Sequence, residues 1–254
     1  MKNIILEMRE NIALVTIDHP PANSWNLVTM NEFSETIDTL KNDQNTRVVV
    51  LTGSGERCFS AGFDVKDKDN APEISATGRA LWRDIDRFPK PVIAAVNGYA
   101  FGGGLELALA CHFRLMTDHP KANLGLTELN LGIIPGWGGT QRLMRIIGKS
   151  KALDLILFSR RINAERALKI GLVDRIVPAD QLMHETMAFA AELAQRPPIA
   201  VRCVLAAMSA GIYEGLDRGL QVEAEGSAAV RDTADRNEGF RAFLEKRKPV
   251  FKGK

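Results

Sequence analysis

Short apolar runs and longer amphipathic segments alternate along roughly the first 175 residues of this chain. Six segments combine apolar and β-branched residues over the length of a strand: 4–8, 12–18, 47–52, 91–96, 113–118 and 172–177. Met30, Phe33, Ile37 and Leu40 recur at spacings of three and four, which predicts one face of an amphipathic helix. The run 48–51 is apolar at every position, which suits a strand covered on both sides in a parallel sheet. This alternation predicts repeated β-α units.

The pattern changes after about residue 179, where almost every segment has helical periodicity. Helices are predicted over 181–195, 201–209, 214–230 and 237–246. We therefore predict an α/β core domain over residues 1–195, followed by a helical region over residues 196–254. Inside the core, segment 66–72 is the most loop-like stretch, because charged residues, Asn and Pro occur together there.

Composition narrows the class of protein. The 254 residues are 45% hydrophobic and 25% charged, and the formal net charge is +2. These values are ordinary for a globular protein and give no electrostatic reason to expect nucleic acid as a partner. No apolar stretch reaches the length of a membrane span, and charges near the start argue against a secretory leader.

Cysteine and histidine usage bears on compartment and on metals. Cys58, Cys111 and Cys203 form no Cys-x-x-Cys pair, so we expect free thiols in a reducing, cytoplasmic environment. The four histidines have no spacing typical of metal ligands, so no bound metal is expected.

Glycines mark two places where an apolar strand gives way to the start of a helix. One is segment 58–64, and the other is segment 97–106, which contains Gly102, Gly103 and Gly104. A helix N-terminus presents N–H groups without intrahelical partners, and glycine lets a ligand approach them closely. Two such corners facing one point would form an oxyanion hole, a pair of backbone donors for an oxygen that gains negative charge.

Two glutamates lie in apolar surroundings near these glycines. Glu106 follows the triplet in an otherwise apolar helix, where it is either a partner of the helix dipole or a buried functional acid. Glu128 lies in the apolar segment 124–132, which would raise the pKa of its carboxyl group; its alternative role is to cap a helix or turn. Segment 136–139 is glycine-rich but completes neither a dinucleotide fingerprint nor a P-loop, so no nucleotide site is predicted.

Four segments resemble the enoyl-CoA hydratase/isomerase (crotonase) superfamily, and they occur in the family's order: 59–64, 97–108, 131–143 and 238–247. The resemblance therefore covers essentially the whole chain. It implies a crotonase-like (ClpP/crotonase) α/β fold of repeated ββα units, with C-terminal helices that promote trimerisation. It also implies a homo-oligomer, either a trimer or a dimer of trimers, that binds acyl-CoA and needs no cofactor beyond the CoA of its substrate.

The resemblance also implies roles for individual residues. Glu106 and Glu128 fall on the paired catalytic glutamates of the family's hydratases, and the N–H groups of Phe63 and Gly103 fall on the two oxyanion donors. The other matching positions contact substrate or CoA: Ser60, Ala61, Gly62, Asp64, Val65, Gly104, Trp137, Phe243 and Lys246. In family members, the residues at the last two positions reach the CoA of a neighbouring subunit.

The residues alone leave alternatives for several of these positions. Ala61 and Gly62 also suit a plain tight turn, Asp64 suits a first-turn acid of a helix, and Trp137 suits the core. The run 243–249 is basic, which is also typical of a solvated tail.

The pair of glutamates favours hydration, the reversible syn addition of water to a 2,3-trans-enoyl-CoA to give a 3-hydroxyacyl-CoA. In that reaction Glu106 would mainly activate water, and Glu128 would handle the α-proton. Alternatives are double-bond isomerisation, hydration of a branched or cyclic acyl-CoA, and a non-catalytic CoA-binding or RNA-binding protein of the same fold. Phe63, Thr127 and His112 depart from residues common in straight-chain hydratases, and segment 65–88, where acyl selectivity largely resides in the family, has no recognisable motif.

Overall fold

Two β-sheets organise the first 177 residues of the protein, whose computed structural model describes residues 2–254. The ten strands in this range are β1 (Ile4–Arg9), β2 (Ile12–Ile17), β3 (Val48–Gly53), β4 (Cys58–Ser60), β5 (Val92–Val96), β6 (Tyr99–Phe101), β7 (Phe113–Thr117), β8 (Asn123–Gly125), β9 (Ile162–Asn163) and β10 (Arg175–Val177).

Helices separate the strands and form the whole C-terminal part. The ten α-helices within residues 2–254 are α1 (Leu27–Asn42), α2 (Ala71–Asp86), α3 (Gly103–Ala110), α4 (Gly139–Ile147), α5 (Lys149–Leu157), α6 (Ala164–Lys169), α7 (Leu182–Ala194), α8 (Pro198–Glu214), α9 (Leu216–Ala229) and α10 (Ala234–Leu244). Short 3₁₀ helices cover Val65–Asn70 and Glu128–Leu131. No helix in the described range is long and apolar enough to cross a membrane.

The larger sheet has six strands in the order β1-β2-β3-β5-β7-β10. The pair β1 and β2 is antiparallel, and the other neighbours are parallel. Every residue of β3 is buried, and its side chains alternate between two clusters. Val49 and Leu51 pack with α1 and α2, whereas Val48 and Val50 pack with α7. The prediction of a strand covered on both sides is confirmed, and it follows from crossover helices on both faces of a parallel sheet.

The smaller sheet has four short strands in the order β4-β6-β8-β9. Strand β4 pairs in parallel with β6, and β6 pairs in parallel with β8. Because the carboxyl ends of parallel strands meet at one edge, the segments that follow β4, β6 and β8 lie side by side. These segments are the two glycine motifs and the segment that contains Glu128.

Helices α8 and α9 form an antiparallel pair that turns at Gly215, whose φ is +99°. The two helices come closest at two glycines, because a Cβ atom built on Gly219 would lie 2.7 Å from the Gly211 Cα atom. The following helix, α10, is tied to the end of the chain. The buried carboxylate of Asp235 accepts hydrogen bonds from the N–H groups of Lys252 at 2.6 Å and Gly253 at 2.8 Å.

The six predicted strands and the predicted helices occur, with differences at their ends. Strand β10 begins at Arg175 rather than at 172, because the Leu172 N–H closes the end of α6 by donating to the Ala167 carbonyl at 2.8 Å. The loop predicted over 66–72 is wrong, since a 3₁₀ helix and the start of α2 occupy it. Pro72 lies in the first turn of α2, where a missing N–H costs no hydrogen bond. The division at residues 195 and 196 stays a prediction.

We expect Gly219→Ala to destabilise the protein by about 1–3 kcal/mol, because its methyl group would push the backbone of α8 away. The matched control is Gly211→Ala, whose Cβ would lie 3.8 Å from the Gly219 Cα atom, an ordinary contact. Alanine favours a helix interior over glycine, so this control should be neutral or stabilising. Urea unfolding of both variants measures the difference, and equal losses would contradict this account of the helix pair.

Candidate active site

The two glycine motifs meet in the structure. A Cβ atom built on Gly62 would lie 2.7 Å from the Gly103 nitrogen and 2.8 Å from the Phe101 carbonyl oxygen. Gly62 also has a φ of +84°, a conformation that other residues adopt only with strain. The close approach of the chain after β4 to the start of α3 therefore requires glycine at this position. Ala61 and Gly62 form no hydrogen-bonded turn among the described residues, and the chain at Gly62 passes directly against the start of α3.

Two backbone donors are left free at this junction. The Trp25 N–H donates to the Gly62 carbonyl at 2.8 Å, and the Asp64 N–H donates to the Trp25 carbonyl at 3.1 Å. This bridge holds the chain on both sides of Phe63 without using the Phe63 N–H. Gly103 is the first residue of α3, so its N–H has no intrahelical partner. Neither N–H donates a hydrogen bond to any group within residues 2–254.

Aromatic rings surround Gly103. The Trp82 indole Nε1–H donates to the Gly103 carbonyl oxygen at 3.0 Å, and both groups are buried. A Cβ atom built on Gly103 would lie 2.1 Å from Cζ3 of Trp137, so the Trp137 ring packs directly on this backbone. Trp82 and Trp137 meet edge to face with their ring centroids 5.3 Å apart. The peptide that carries one free donor is therefore fixed by a hydrogen bond and by tight packing.

Glu106 lies in α3 and is 2% exposed. Its Oε1 accepts hydrogen bonds from the Trp137 N–H at 2.8 Å and the Gly139 N–H at 2.7 Å. Gly139 begins α4, so the carboxyl group lies at the N-terminus of a neighbouring helix rather than serving only its own. Burial raises the pKa of Glu106, and the two N–H donors and the nearby charge of Arg142 oppose that effect.

Glu128 is the first residue of its 3₁₀ helix and is 9% exposed. Its Oε2 is buried and has no hydrogen-bond partner among the described residues, and its side chain caps no helix. Burial, and then the charge of Glu106, raise the pKa of Glu128 to about 7. The alternative role as a cap is therefore wrong, and the group is a carboxyl held in an apolar site beside a second carboxyl.

Glycines keep both carboxyl groups close to the junction. A Cβ atom built on Gly102 would lie 3.2 Å from Glu128 Oε1, and one built on Gly139 would lie 2.9 Å from Glu106 Oε1. Gly104 allows the approach of β4, since its Cβ would lie 2.2 Å from the Ser60 carbonyl oxygen. The structure thus gathers two buried carboxyl groups and two free backbone donors around one helix start.

The remaining predicted contact residues divide into two groups. Ser60 is buried, and its hydroxyl accepts a hydrogen bond from the Gly62 N–H at 3.2 Å. Asp64 caps the helix that follows, because its Oδ1 accepts from the Lys66 N–H at 3.0 Å. Val65 is exposed beside it, and Trp137 is buried in the core cluster. Packing in the core and a place beside the site are therefore compatible for Trp137.

Phe243 and Lys246 lie elsewhere in the chain. Phe243 lies in the last turn of α10 with 81% of its surface exposed, and it borders an apolar cavity of about 530 Å³ with Phe240 and Phe251. Lys246 follows α10 with a φ of +54°. Within residues 2–254, no hydrogen bond joins either residue to the glycine corners or to the two glutamates.

Sequence reasoning missed the supporting residues. Trp25 and Trp82 pack with ring centroids 5.0 Å apart, so all three tryptophans of the chain form one cluster. Arg142 lies in segment 131–143, where the sequence assigns it no role, yet it is buried and lies next to the site. The sequence has only three tryptophans, and their rarity was the one sign of a common role. They are too far apart along the chain for a periodic pattern to connect them.

Comparisons with known proteins identify the family of the chain. The family described as enoyl-CoA hydratase/isomerase matches residues 7–254. A crotonyl-CoA hydratase of Syntrophomonas wolfei is 40% identical, with 98% of each chain covered. A 2,3-dehydroadipyl-CoA hydratase of Escherichia coli is 36% identical over the full length of both chains. The crystal structure of an enoyl-CoA hydratase from Bacillus anthracis superposes with a TM-score of 0.95 at 41% identity, covering 99% of this chain and 100% of that one. The chain described here belongs to the enoyl-CoA hydratase/isomerase family of enzymes and has the crotonase fold.

Proposed function

We propose that the protein is an enoyl-CoA hydratase, which adds water reversibly and with syn geometry to a 2,3-trans-enoyl-CoA to give a 3-hydroxyacyl-CoA. The observation that carries this proposal is the pair of buried carboxyl groups, Glu106 and Glu128, beside two free backbone donors. Relatives of 36–40% identity that are named as hydratases support the same reaction. We propose no cofactor other than the CoA portion of the substrate.

The two backbone donors serve the thioester oxygen. Water attacks the β-carbon only if negative charge can move onto that oxygen, which then resembles an enolate. The N–H groups of Phe63 and Gly103 would stabilise this charge, and one such donor is typically worth ~2.7–4 kcal/mol of activation free energy. Because both donors belong to backbone that is already fixed, no reorganisation is needed when the charge develops.

The two carboxyl groups divide the proton transfers. Glu106 accepts two N–H bonds and lies near Arg142, which favours its ionised form, so we assign it to removal of a proton from water. Glu128 has no donor on Oε2 and a pKa of about 7, so we assign it to delivery of a proton to the α-carbon. The oxygen of water bonds to the β-carbon. The proton that Glu106 took from water must then pass to Glu128 before the next turnover.

The acyl group is proposed only as a class. The relatives are named for crotonyl-CoA and for 2,3-dehydroadipyl-CoA, which share the conjugated thioester and differ in the rest of the chain. The close backbone approaches at Gly62 and Gly104 place the segment that contains Ser60, Ala61 and Asp64 against the start of α3, beside the two free donors. Together with the free donors, they select the conjugated thioester rather than a particular tail.

We also propose a homo-oligomer, a trimer or a dimer of trimers. Exposed apolar side chains follow the α8–α9 pair: Val204, Met208, Ile212, Leu216 and Leu220. Phe243 and Lys246 are exposed, and a neighbouring subunit's CoA would give them a partner. An exposed apolar surface of this kind is typical of a contact between proteins.

Glu106→Gln and Glu128→Gln should each lower the rate of crotonyl-CoA hydration by about 10²–10⁴-fold, because each removes a group that transfers a proton. Loss of the conjugated-thioester absorbance measures the rate. The control is Glu35→Gln, an exposed glutamate on α1. If the folded wild type left every 2-enoyl-CoA unchanged but shifted the double bond of a 3-enoyl-CoA, the protein would be an isomerase and the proposal would fail.

The unfolding free energy should depend on Glu128 ionisation. The unfolded chain loses the Glu128 proton near pH 4.5, whereas the folded protein holds it to about pH 7, so rising pH destabilises the wild type between these values. The difference corresponds to roughly 3 kcal/mol. Glu128→Gln cannot ionise, so its stability relative to wild type should increase over this range. Urea unfolding at several pH values measures it, with Glu35→Gln as the control; a pH-independent difference would contradict the raised pKa.

Trp82→Phe should lower kcat by about 3–10-fold with little change in KM, because the Gly103 carbonyl loses a buried donor and its peptide can shift. Trp25→Phe is the matched comparison, since the Trp25 indole N–H is buried in the same cluster without a hydrogen-bond partner among the described residues. We expect this second variant to lose less activity. Equal losses in the two variants would show that packing of the cluster, and not the indole hydrogen bond, is what matters.

A further inference from the structure

We propose that Tyr213, Asp86 and Arg142 form a partly buried link through which α8 positions the Glu106 carboxylate. The inference rests on the proposed function, because it gives Glu106 a catalytic role. It adds positioning residues to the site and connects the C-terminal helices to the reaction within a single chain. Nothing in the two glycine motifs or in the paired glutamates requires this connection.

Arg142 is the centre of the link. It lies in α4 and is buried, and its Nε donates to Asp86 Oδ2 at 2.9 Å. Its Nη1 donates to the Trp137 carbonyl oxygen at 2.8 Å. Gly138 makes this possible, because a Cβ atom on that residue would lie 2.1 Å from Arg142 Nη1. The guanidinium group therefore holds the segment between Trp137 and the start of α4 in place.

That same segment binds Glu106. The N–H groups of Trp137 and Gly139 both donate to Glu106 Oε1, at 2.8 and 2.7 Å. A shift of Arg142 would move Trp137, because Arg142 donates a hydrogen bond to the Trp137 carbonyl oxygen. The Trp137 N–H, which donates to the Glu106 carboxylate, would then move as well. Arg142 thus acts on Glu106 through the backbone as well as through its charge.

Asp86 connects Arg142 to the C-terminal region. It is the last residue of α2, and its Oδ2 accepts hydrogen bonds from Arg142 and from the hydroxyl group of Tyr213. Tyr213 lies in α8, 127 residues further along the chain. The guanidinium groups of Arg87 and Arg145 lie over its ring, 4.8 and 4.9 Å from the centroid. The tyrosine is therefore held against α2 and α4 by stacking, and its hydroxyl is directed at one carboxylate.

The charges around the link favour this arrangement over a wide pH range. Burial raises the pKa of Tyr213 to about 12, and the hydrogen bond to Asp86 acts in the same direction, so the hydroxyl stays a donor. Burial also lowers the pKa of His112 to about 4 and raises the pKa of Cys111 to about 12, so these neighbours of Asp86 are uncharged near neutral pH. The other charges that face the link are those of Arg87, Arg145 and, near Cys111 and His112, Arg114.

Glu106 itself faces two ionisable groups, Arg142 and Glu128. Without the Tyr213 hydroxyl, Asp86 would keep only Arg142 as a partner and would attract it more strongly. The bond from Arg142 to the Trp137 carbonyl would weaken, and the donors to Glu106 would become less well placed. Both changes disfavour the ionised carboxylate, so its pKa should rise further.

The test is a ¹³C NMR titration of glutamate carboxyl groups in the full-length protein, with the Glu106 resonance assigned by its absence from Glu106→Gln. Tyr213→Phe keeps the ring and both stacked guanidinium groups and removes only the hydroxyl. We expect the Glu106 titration midpoint to rise in Tyr213→Phe and to rise more in Arg142→Gln. In hydration assays, kcat should fall by about 3–10-fold in Tyr213→Phe, with KM changed less than twofold.

Two further variants separate charge, geometry and folding. Lys149→Gln removes an exposed charge at the start of α5, next to α4, without touching Tyr213 or the Trp137 segment, and its Glu106 midpoint should stay close to wild type. Arg142→Lys keeps the charge but cannot donate from two positions fixed in a plane. Compared with Arg142→Gln, it should therefore bring the Glu106 titration midpoint closer to the wild-type value than it brings kcat. It also keeps the test informative if Arg142→Gln does not fold.

The outcomes are distinct. An unchanged midpoint in both Tyr213→Phe and Arg142→Gln would overturn the link, and a change in Arg142→Gln alone would overturn the part assigned to α8. If the midpoints rise as expected while the wild type hydrates no enoyl-CoA, the proposed function fails and the link stands.

Discussion

The site depends on the close approach of two backbone segments in the smaller sheet. Strands β4 and β6 are parallel, so their carboxyl ends reach the same edge, and the chain beyond each must turn within a few ångströms of the other. A side chain at Gly62 would overlap the Gly103 nitrogen, and one at Gly103 would overlap the Trp137 ring. A side chain at Gly104 would overlap the Ser60 carbonyl oxygen. Glycine is therefore a packing requirement here, and the free N–H groups are a consequence of a turn that leaves them no partner.

Much of this arrangement could be predicted from the sequence, and the reason is local. A strand that ends in glycines before an apolar helix has a short-range signature, so the two glycine corners could be predicted from the residues, whereas the pairing of Glu106 with Glu128 was implied only by the family resemblance. Strands β4, β6 and β8 were not predicted, because three residues are too few to show a period. The tryptophan cluster and the Arg142 link join segments from five parts of the chain, and no local pattern records such contacts.

The wrong prediction over 66–72 has a similar cause. Charged residues, Asn and Pro usually indicate a loop, but Asp64, just before this segment, and Pro72, within it, act at helix starts. A carboxylate acceptor and a missing N–H are both favourable at such positions. Charged residues, Asn and Pro therefore indicate a helix start when an amphipathic segment with an apolar face follows them, and a loop when none follows. Ile74, Leu81 and Ile85 supply that face on α2, and their burial decides the outcome.

The two carboxyl groups share a desolvated site, yet they differ in what surrounds them. Burial alone would push both pKa values up together, and two neutral acids could not act as base and acid at once. Two N–H donors and Arg142 counter this effect at Glu106. By contrast, Glu128 Oε2 has no hydrogen-bond partner among the described residues, and the charge of Glu106 raises the Glu128 pKa further. The environments of the two groups therefore differ in how strongly the effect of burial is opposed. The asymmetry originates in residues outside the glutamates themselves, in the Trp137 segment and the helix start at Gly139, which is why the supporting contacts matter to the chemistry as much as the carboxyl groups do.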